Sequence, residues 1–341
     1  MFRTLLATLA LVLVSAGCSN NSQAVTPRSF SAVGSAELNH VPGAVFSGGI
    51  NLVRSSELST VRRPWNLPHV WPSATKQRAV LFVADPDDDQ LLMYDPSRKN
   101  PQPEGSITAG IDYAVAIAVD RKSTVYVANL MGGSANKGSI TIYKAGAIKP
   151  SMTITEGLVN PYSVAVDSNG NLFATNLDSN TIVGYRAGAK SPFETIDFSS
   201  YGEAAGLATD QKNNLWIANP FGDEVDEIPA GSSTPQNAGL SGLNGPSDVS
   251  VGQQDTLFAS DFSGGAVSVY KNGSQSPWAF IIMGIKMDGP TYGGFTASGD
   301  YFQTNQDLNV VGYHKGKSSP FSTITGIKDP RGVASAPLVS K

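Results

Sequence analysis

The chain has one cysteine in 341 residues, three histidines, and only 15% charged residues. A single cysteine excludes internal disulfides, so stability has to come from packing and from closure of the fold. His40, His69 and His314 are too scattered to furnish the usual ligands of a zinc centre. No Gly-x-Ser-x-Gly occurs, and covalent catalysis has no visible nucleophile. The one sustained apolar run, Leu5 to Val14, falls short of the roughly 20 residues a membrane-spanning helix needs. The formal net charge of −4 conceals an asymmetry: up to Arg78 basic residues prevail, and from Ala79 onward acidic ones do. An acidic domain argues against nucleic acid as a partner, because phosphate neutralisation needs clustered cations.

What is present is repetition. Leu81-Phe82-Val83-Ala84-Asp85, Val125-Tyr126-Val127-Ala128-Asn129, Leu172-Phe173-Ala174-Thr175-Asn176, Leu215-Trp216-Ile217-Ala218-Asn219, Leu257-Phe258-Ala259-Ser260-Asp261 and Tyr301-Phe302-Gln303-Thr304-Asn305 are one phrase, returning every 42 to 47 residues. Self-similarity at this period, in segments that read as strands, predicts an all-β, six-bladed β-propeller. In the third unit Pro161 to Asp167 alternates as a strand, Asp167-Ser168-Asn169-Gly170-Asn171 is a tight turn, and Leu172 to Asn176 returns. Thr181 to Tyr185 and Phe193 to Phe198 complete four antiparallel strands. The tyrosine ending the third strand recurs as Tyr143, Tyr270 and Tyr313, and is expected to pack one blade on the next. Pro330 to Ala336 aligns with the first strands, so the C-terminal strand is expected to close the blade begun near Ala79.

Three segments follow: a signal peptide over 1–17, a linker over 18–75, and the propeller over 76–341. Arg3, the apolar run and Ser15-Ala16-Gly17-Cys18 form a secretory signal that resembles a bacterial lipobox. The resemblance implies cleavage before Cys18 and lipidation of its sulfur and new N-terminus. A stable membrane anchor would result. Ser19 in place of Asp favours the outer membrane, giving an extracytoplasmic, envelope-anchored domain. The Ser-, Asn-, Ala- and Gly-rich stretch after it reads as a spacer. Its basic residues, Arg54, Arg62, Arg63, Lys76 and Arg78, are expected chiefly to keep it solvated. Trp65 and Trp71, among three prolines, suggest a segment packed on the domain.

Val164 to Phe173 resembles the core phrase of NHL repeats, and Leu172 to Ile182 resembles the YVTN-type surface propeller repeat. Together the likenesses cover about residues 79 to 336 and imply a propeller. They do not imply an activity, since such propellers include scaffolds, binders and several enzymes. The signatures of WD and kelch repeats are absent.

Antiparallel succession brings the end of each second strand and the start of each first strand to one face. That face collects the six Asn/Asp positions, and with them Tyr113, Asn160, Tyr162, Glu203, Asp248, Tyr292, Asp329 and Arg331, the candidate ligand-binding residues. The six-fold Asn/Asp is expected to begin an Asx turn rather than to hold a ligand. Residues that break the repeat are the better candidates: Glu203 stands where other units have Asn or Gly, and Arg331 is the one cation of the set. Oxygen ligands converging there suit Ca²⁺ or sugar hydroxyls. Asp85-Pro86-Asp87-Asp88-Asp89 lacks the spacing of a calcium loop and is expected to be a solvated acidic turn.

The expected function is non-catalytic binding of a protein or carbohydrate partner by a monomer without a cofactor. The alternative is a metal-dependent hydrolase resembling the gluconolactonase and senescence-marker family, for which Glu203 with Asn160, Asn219 or Asp261 would be the metal ligands. The Glu-Gly-Pro opening phrase of that family is missing here.

Overall fold

A computed structural model describes Trp71 and residues 79–336, apart from 134, 136, 283–288 and 307–308. The expected signal peptide, Cys18, all of the linker but Trp71, and residues 76–78 lie outside the described residues. Within them are six separate four-stranded antiparallel sheets, as the period predicts. The third blade comprises Pro161–Val166, Leu172–Asn176, Thr181–Tyr185 and Glu194–Asp197, in spatial order from the axis outward. The first strands of successive blades touch in a closed series around the axis.

Closure is as the aligned phrase requires. Val333–Ala336 pairs antiparallel with Val80–Asp85, so the last strand becomes the innermost strand of the first blade. Ala84 is bonded on both sides of this join, accepting from the Arg331 amide at 3.0 Å and donating to Gly332 at 2.9 Å.

Packing between blades supplies the core. Val115, Ala128, Ile140 and Ile154 of the second blade form one apolar cluster with Val164, Leu172, Ala174 and Val183 of the third. The third-strand tyrosines do serve this packing. Tyr143, Tyr185 and Tyr270 are fully buried, and each hydroxyl donates to a carbonyl in the loop that arrives from the preceding blade, at 2.7 to 2.8 Å. Burial of a ring with its hydroxyl satisfied secures apolar area without an orphaned polar atom. Trp71 adds the same chemistry from outside the ring: it lies edge-on to Phe82 and donates to the carbonyl of Ala147 at 2.8 Å.

The inner strands are bulged near their starts, between Ala114 and Ala116, Pro161 and Ser163, Pro246 and Asp248, and Pro290 and Gly293. A bulge adds one residue and re-aims the chain. The carbonyls released from the ladder bond the neighbouring blade instead: Gly332 donates to Val115 at 2.9 Å and Gly206 to Ser247 at 3.1 Å. A Cβ on Gly206 would stand 2.4 Å from the Cα of Asp248, so only glycine permits this approach.

Candidate binding face

The bulges position the side chains that break the repeat. Tyr162 is the extra residue of its bulge, and Arg331 occupies the same place where the first blade closes. Two residues earlier stand Tyr113, Asn160, Glu203 and Asp329. Tyr113 and Asn160 hold φ of 55° and 54° there. Asparagine tolerates this conformation; for a buried tyrosine it is strained.

At the axis the third and sixth blades meet. The Tyr162 and Tyr292 rings lie 5.9 Å apart, and the Tyr292 hydroxyl donates to the Tyr162 carbonyl at 3.2 Å. This contact crosses the channel. Arg331 stands close enough to Tyr162, Tyr292 and Tyr113 to act on them electrostatically. Its Nε is held 2.9 and 3.0 Å from the two oxygens of Asp329. Burial opposes the guanidinium charge, and Asp329 more than restores it, raising the pKa. Among the described residues the Nη groups make no hydrogen bond, and the side chain keeps 18% of its surface exposed.

Glu203 is the sharpest anomaly. Its side chain is buried, and neither carboxylate oxygen has a hydrogen-bond partner among the described residues. Burial alone pushes its pKa up to about 7. Its charge reaches Tyr162. Asp248 is also raised to about 7 by burial, but it is engaged, accepting from the Gly293 amide at 2.9 Å and so joining the fifth blade to the sixth.

The predicted candidates therefore divide. Tyr113, Tyr162, Glu203, Asp248, Tyr292, Asp329 and Arg331 gather around the axis, within contact or electrostatic reach of one another. Asn160 does not join them and donates to Asp178 at 3.0 Å. Asn219 is fully occupied, accepting from the amides of Glu203 and Gly222 and donating to Tyr201, Glu224 and Asp226. Asp261 accepts from the Asn244 amide and the Ser268 hydroxyl. Among the described residues no three His, Cys, Asp or Glu side chains are gathered as metal ligands.

The six-fold Asn/Asp requires a correction. The expected local Asx turn is seen at Asn219, which accepts the Gly222 amide at 3.2 Å. But Asn129, Asn176, Asn219 and Asp261 also accept the amides of Asp112, Val159, Glu203 and Asn244, each 16 or 17 residues upstream. Each clamps the end of a second strand to the loop entering its own blade. Asp85 and Asn305 accept no such amide among the described residues. A further clamp was not foreseen: Asp89, Asn180 and Asp223, all at positive φ, accept amides of the next blade from Tyr113, Ala204 and Gly245. Its signal is a polar residue at the turn after each phrase.

The acidic turn also differs from expectation. Asp85 is buried and raised to about 7 by burial, Asp88 pairs with Lys328 at 3.4 Å, and Asp89 is the clamp just described. It is packed into the blade junction, because its first residue ends the first blade's second strand and its last bonds the next blade.

No protein-family model matches this sequence, and no curated protein matches it. Among solved structures the chain is similar to one in a crystal structure of the nidogen/laminin complex, with a TM-score of 0.63 at 14% identity over 77% of this chain and 100% of that one. It also aligns with a streptogramin B lyase structure at a TM-score of 0.46 and 13% identity, over 60% of this chain and 69% of that one. The first likeness agrees with the propeller fold; the second is too distant to carry an argument.

Proposed function

We propose that this protein is a non-catalytic binding protein of a bacterial cell envelope, an NHL-type propeller held to the membrane by lipid on Cys18. In this reading it works as a monomer and takes a protein or carbohydrate ligand at the axial mouth. One observation carries the binding role: the buried, unpartnered carboxylate of Glu203 within electrostatic reach of Tyr162. An orphaned buried polar group costs about 1 to 3 kcal/mol, and such a cost at a position that departs from the repeat is accounted for by an occupant that satisfies it. Arg331 adds free Nη donors, and the half-buried Tyr162 adds a flat apolar face, a combination that suits sugar rings and peptide groups.

Recognition rather than turnover is the reading these groups support. Asn219 and Asp261, two of the groups a metal would need beside Glu203, are spent in clamps. The test is a glycan-array and envelope pull-down screen with the full chain. Binding that weakens at least about tenfold on Arg331→Ala or Glu203→Gln is expected, the loss of one charge-assisted contact. Binding indifferent to both substitutions would remove the axial mouth from the site. Titration with calcium or zinc should leave the melting temperature unchanged; a rise abolished by Glu203→Gln would favour the metal-dependent hydrolase.

A further inference from the structure

The loops and turns at the two ends of the blades carry opposite exposed charge. Every exposed Lys or Arg among the described residues, Lys137 excepted, lies on the turns joining first to second strands or third to fourth strands. Arg121, Lys122 and Lys212 ring the inner turns; Lys144, Lys190 and Lys271 stand on the outer ones. The exposed carboxylates among the described residues, Glu156, Asp178, Asp197 and Asp223, all lie at the other end. Acidic residues also occur at the turn end, but they are less exposed than the basic ones and are built into the turns. The Oδ1 atoms of Asp120, Asp167 and Asp210 each accept two backbone amides of their own turn at 2.8 to 2.9 Å. Arg121, Lys122, Lys144 and Lys212 have no ion pair among the described residues.

The same end receives the chain. Val80, the start of the first blade's second strand, pairs with Ala336 at the turn end. Trp71 is bonded there to Ala147, in the turn between the second blade's outer strands. The described chain thus enters the propeller at this face. Trp278, 58% exposed at the outer rim with the Lys271 ammonium 4.2 Å from its ring, supplies an amphipathic side chain of the kind that settles at headgroup depth.

We propose that the turn face docks on an anionic lipid bilayer, with the axial mouth of Glu203 and Arg331 turned away from it. The orientation relative to a membrane rests on the lipid-anchor reading; the affinity of the face for anionic headgroups does not. Charge complementarity selects the occupant, since each basic residue near an anionic surface favours binding by about 1 kcal/mol. The acidic end does not cancel this. Five-residue strands at about 3.3 Å per residue separate the ends by roughly 17 Å, about twice the screening length of roughly 8 Å at physiological salt.

The test uses the full chain with Cys18→Ser, which removes the lipid, in sedimentation with phosphatidylcholine vesicles and with vesicles containing phosphatidylglycerol. Binding about tenfold or more tighter to the anionic vesicles is expected, weakening as salt is raised. The combined substitution Arg121→Glu, Lys122→Glu, Lys144→Glu and Lys212→Glu, all on exposed turns, should abolish the preference, and Lys137→Glu should keep it. Equal binding to both vesicles, or a preference that survives the four substitutions, overturns the proposal. Competition by soluble polyglutamate as effective as that by anionic vesicles would assign the face to an acidic protein and also overturn it. Labelled fatty acid fed to cells tests the anchor separately: its absence from Cys18, with the vesicle preference intact, refutes the anchor alone.

Discussion

The two ends of the propeller are built from the same strands yet use Asp and Asn side chains in opposite ways. At the turn end, Asp120, Asp167 and Asp210 are short-range devices, each folded back onto amides within four residues of itself. At the loop end, Asn129, Asn176, Asn219 and Asp261 are long-range devices that tie a strand end to a loop. The difference teaches where variation is tolerated. Turns that satisfy themselves leave their remaining side chains free for solvent, and those became basic. Loops that are satisfied by their neighbours bury acidic groups, and four of these, Asp85, Glu203, Asp248 and Asp261, have pKa values raised to between about 6 and 7.

Breaking the closure should affect both ends most. Removal of residues 330 to 341 deletes the innermost strand of the first blade and Arg331 with it. A loss of roughly 5 kcal/mol is expected, about 10 to 20 °C in melting temperature for a domain of this size, or failure to yield soluble protein. A melting temperature equal to that of the intact chain would contradict the closed ring.

A smaller but sharper effect is expected at the clamps. Asn219→Ala leaves the amides of Glu203 and Gly222 and the carbonyl of Tyr201 without their side-chain partner. A cost of about 2 to 4 kcal/mol follows if these groups stay buried. Asp178→Ala, at an exposed loop position, should cost less than about 0.5 kcal/mol. Chemical denaturation measures both, and equal costs would dissolve the distinction between clamp and surface.

The raised carboxyl groups set a pH dependence. Each has a folded pKa above its unfolded value, so the folded state holds protons that the unfolded state releases between about pH 4 and 7. Stability is therefore greatest near the lower limit and falls as pH rises through the folded values. Melting temperatures measured from pH 5 to pH 8 should decline by several degrees and level off above about 7. A rise across this window would mean that the loop-end carboxylates are paired and ionised. The smallest effect belongs to the turn end, where Lys122→Ala and Lys144→Ala should each change stability by less than about 0.5 kcal/mol.

The ring was legible in the sequence because a two-residue alternation repeated six times overdetermines a strand pattern, and the aligned Pro330 phrase exposed the closure. Its seven axial residues were legible for a related reason: Tyr113, Tyr162, Glu203, Asp248, Tyr292, Asp329 and Arg331 were picked by position in that repeat, and the bulges carry the same positions to the axis. Asn160, at the same repeat position as Tyr113, Glu203 and Asp329, donates its side chain to Asp178 instead. The clamp role of the Asn/Asp phrase was hidden, since an amide 16 or 17 residues upstream lies beyond any local motif. The charged faces were hidden as well. Lys144, Arg186 and Lys271 each follow the third-strand tyrosine, a regularity that acquires meaning only when alternate hairpin ends are assigned to opposite faces.

Glu203 is where the account is most exposed, because its buried and unpartnered carboxylate is what marks the loop end as the binding face. Melting of Glu203→Gln beside the wild type at pH 8 and pH 5 tests this directly. The variant should be more stable by about 1 to 3 kcal/mol at pH 8, where the wild-type group is ionised, with the advantage gone at pH 5. Equal or lower stability of the variant at pH 8 would show that Glu203 already has its partner and that the mouth holds no unmet demand for a ligand.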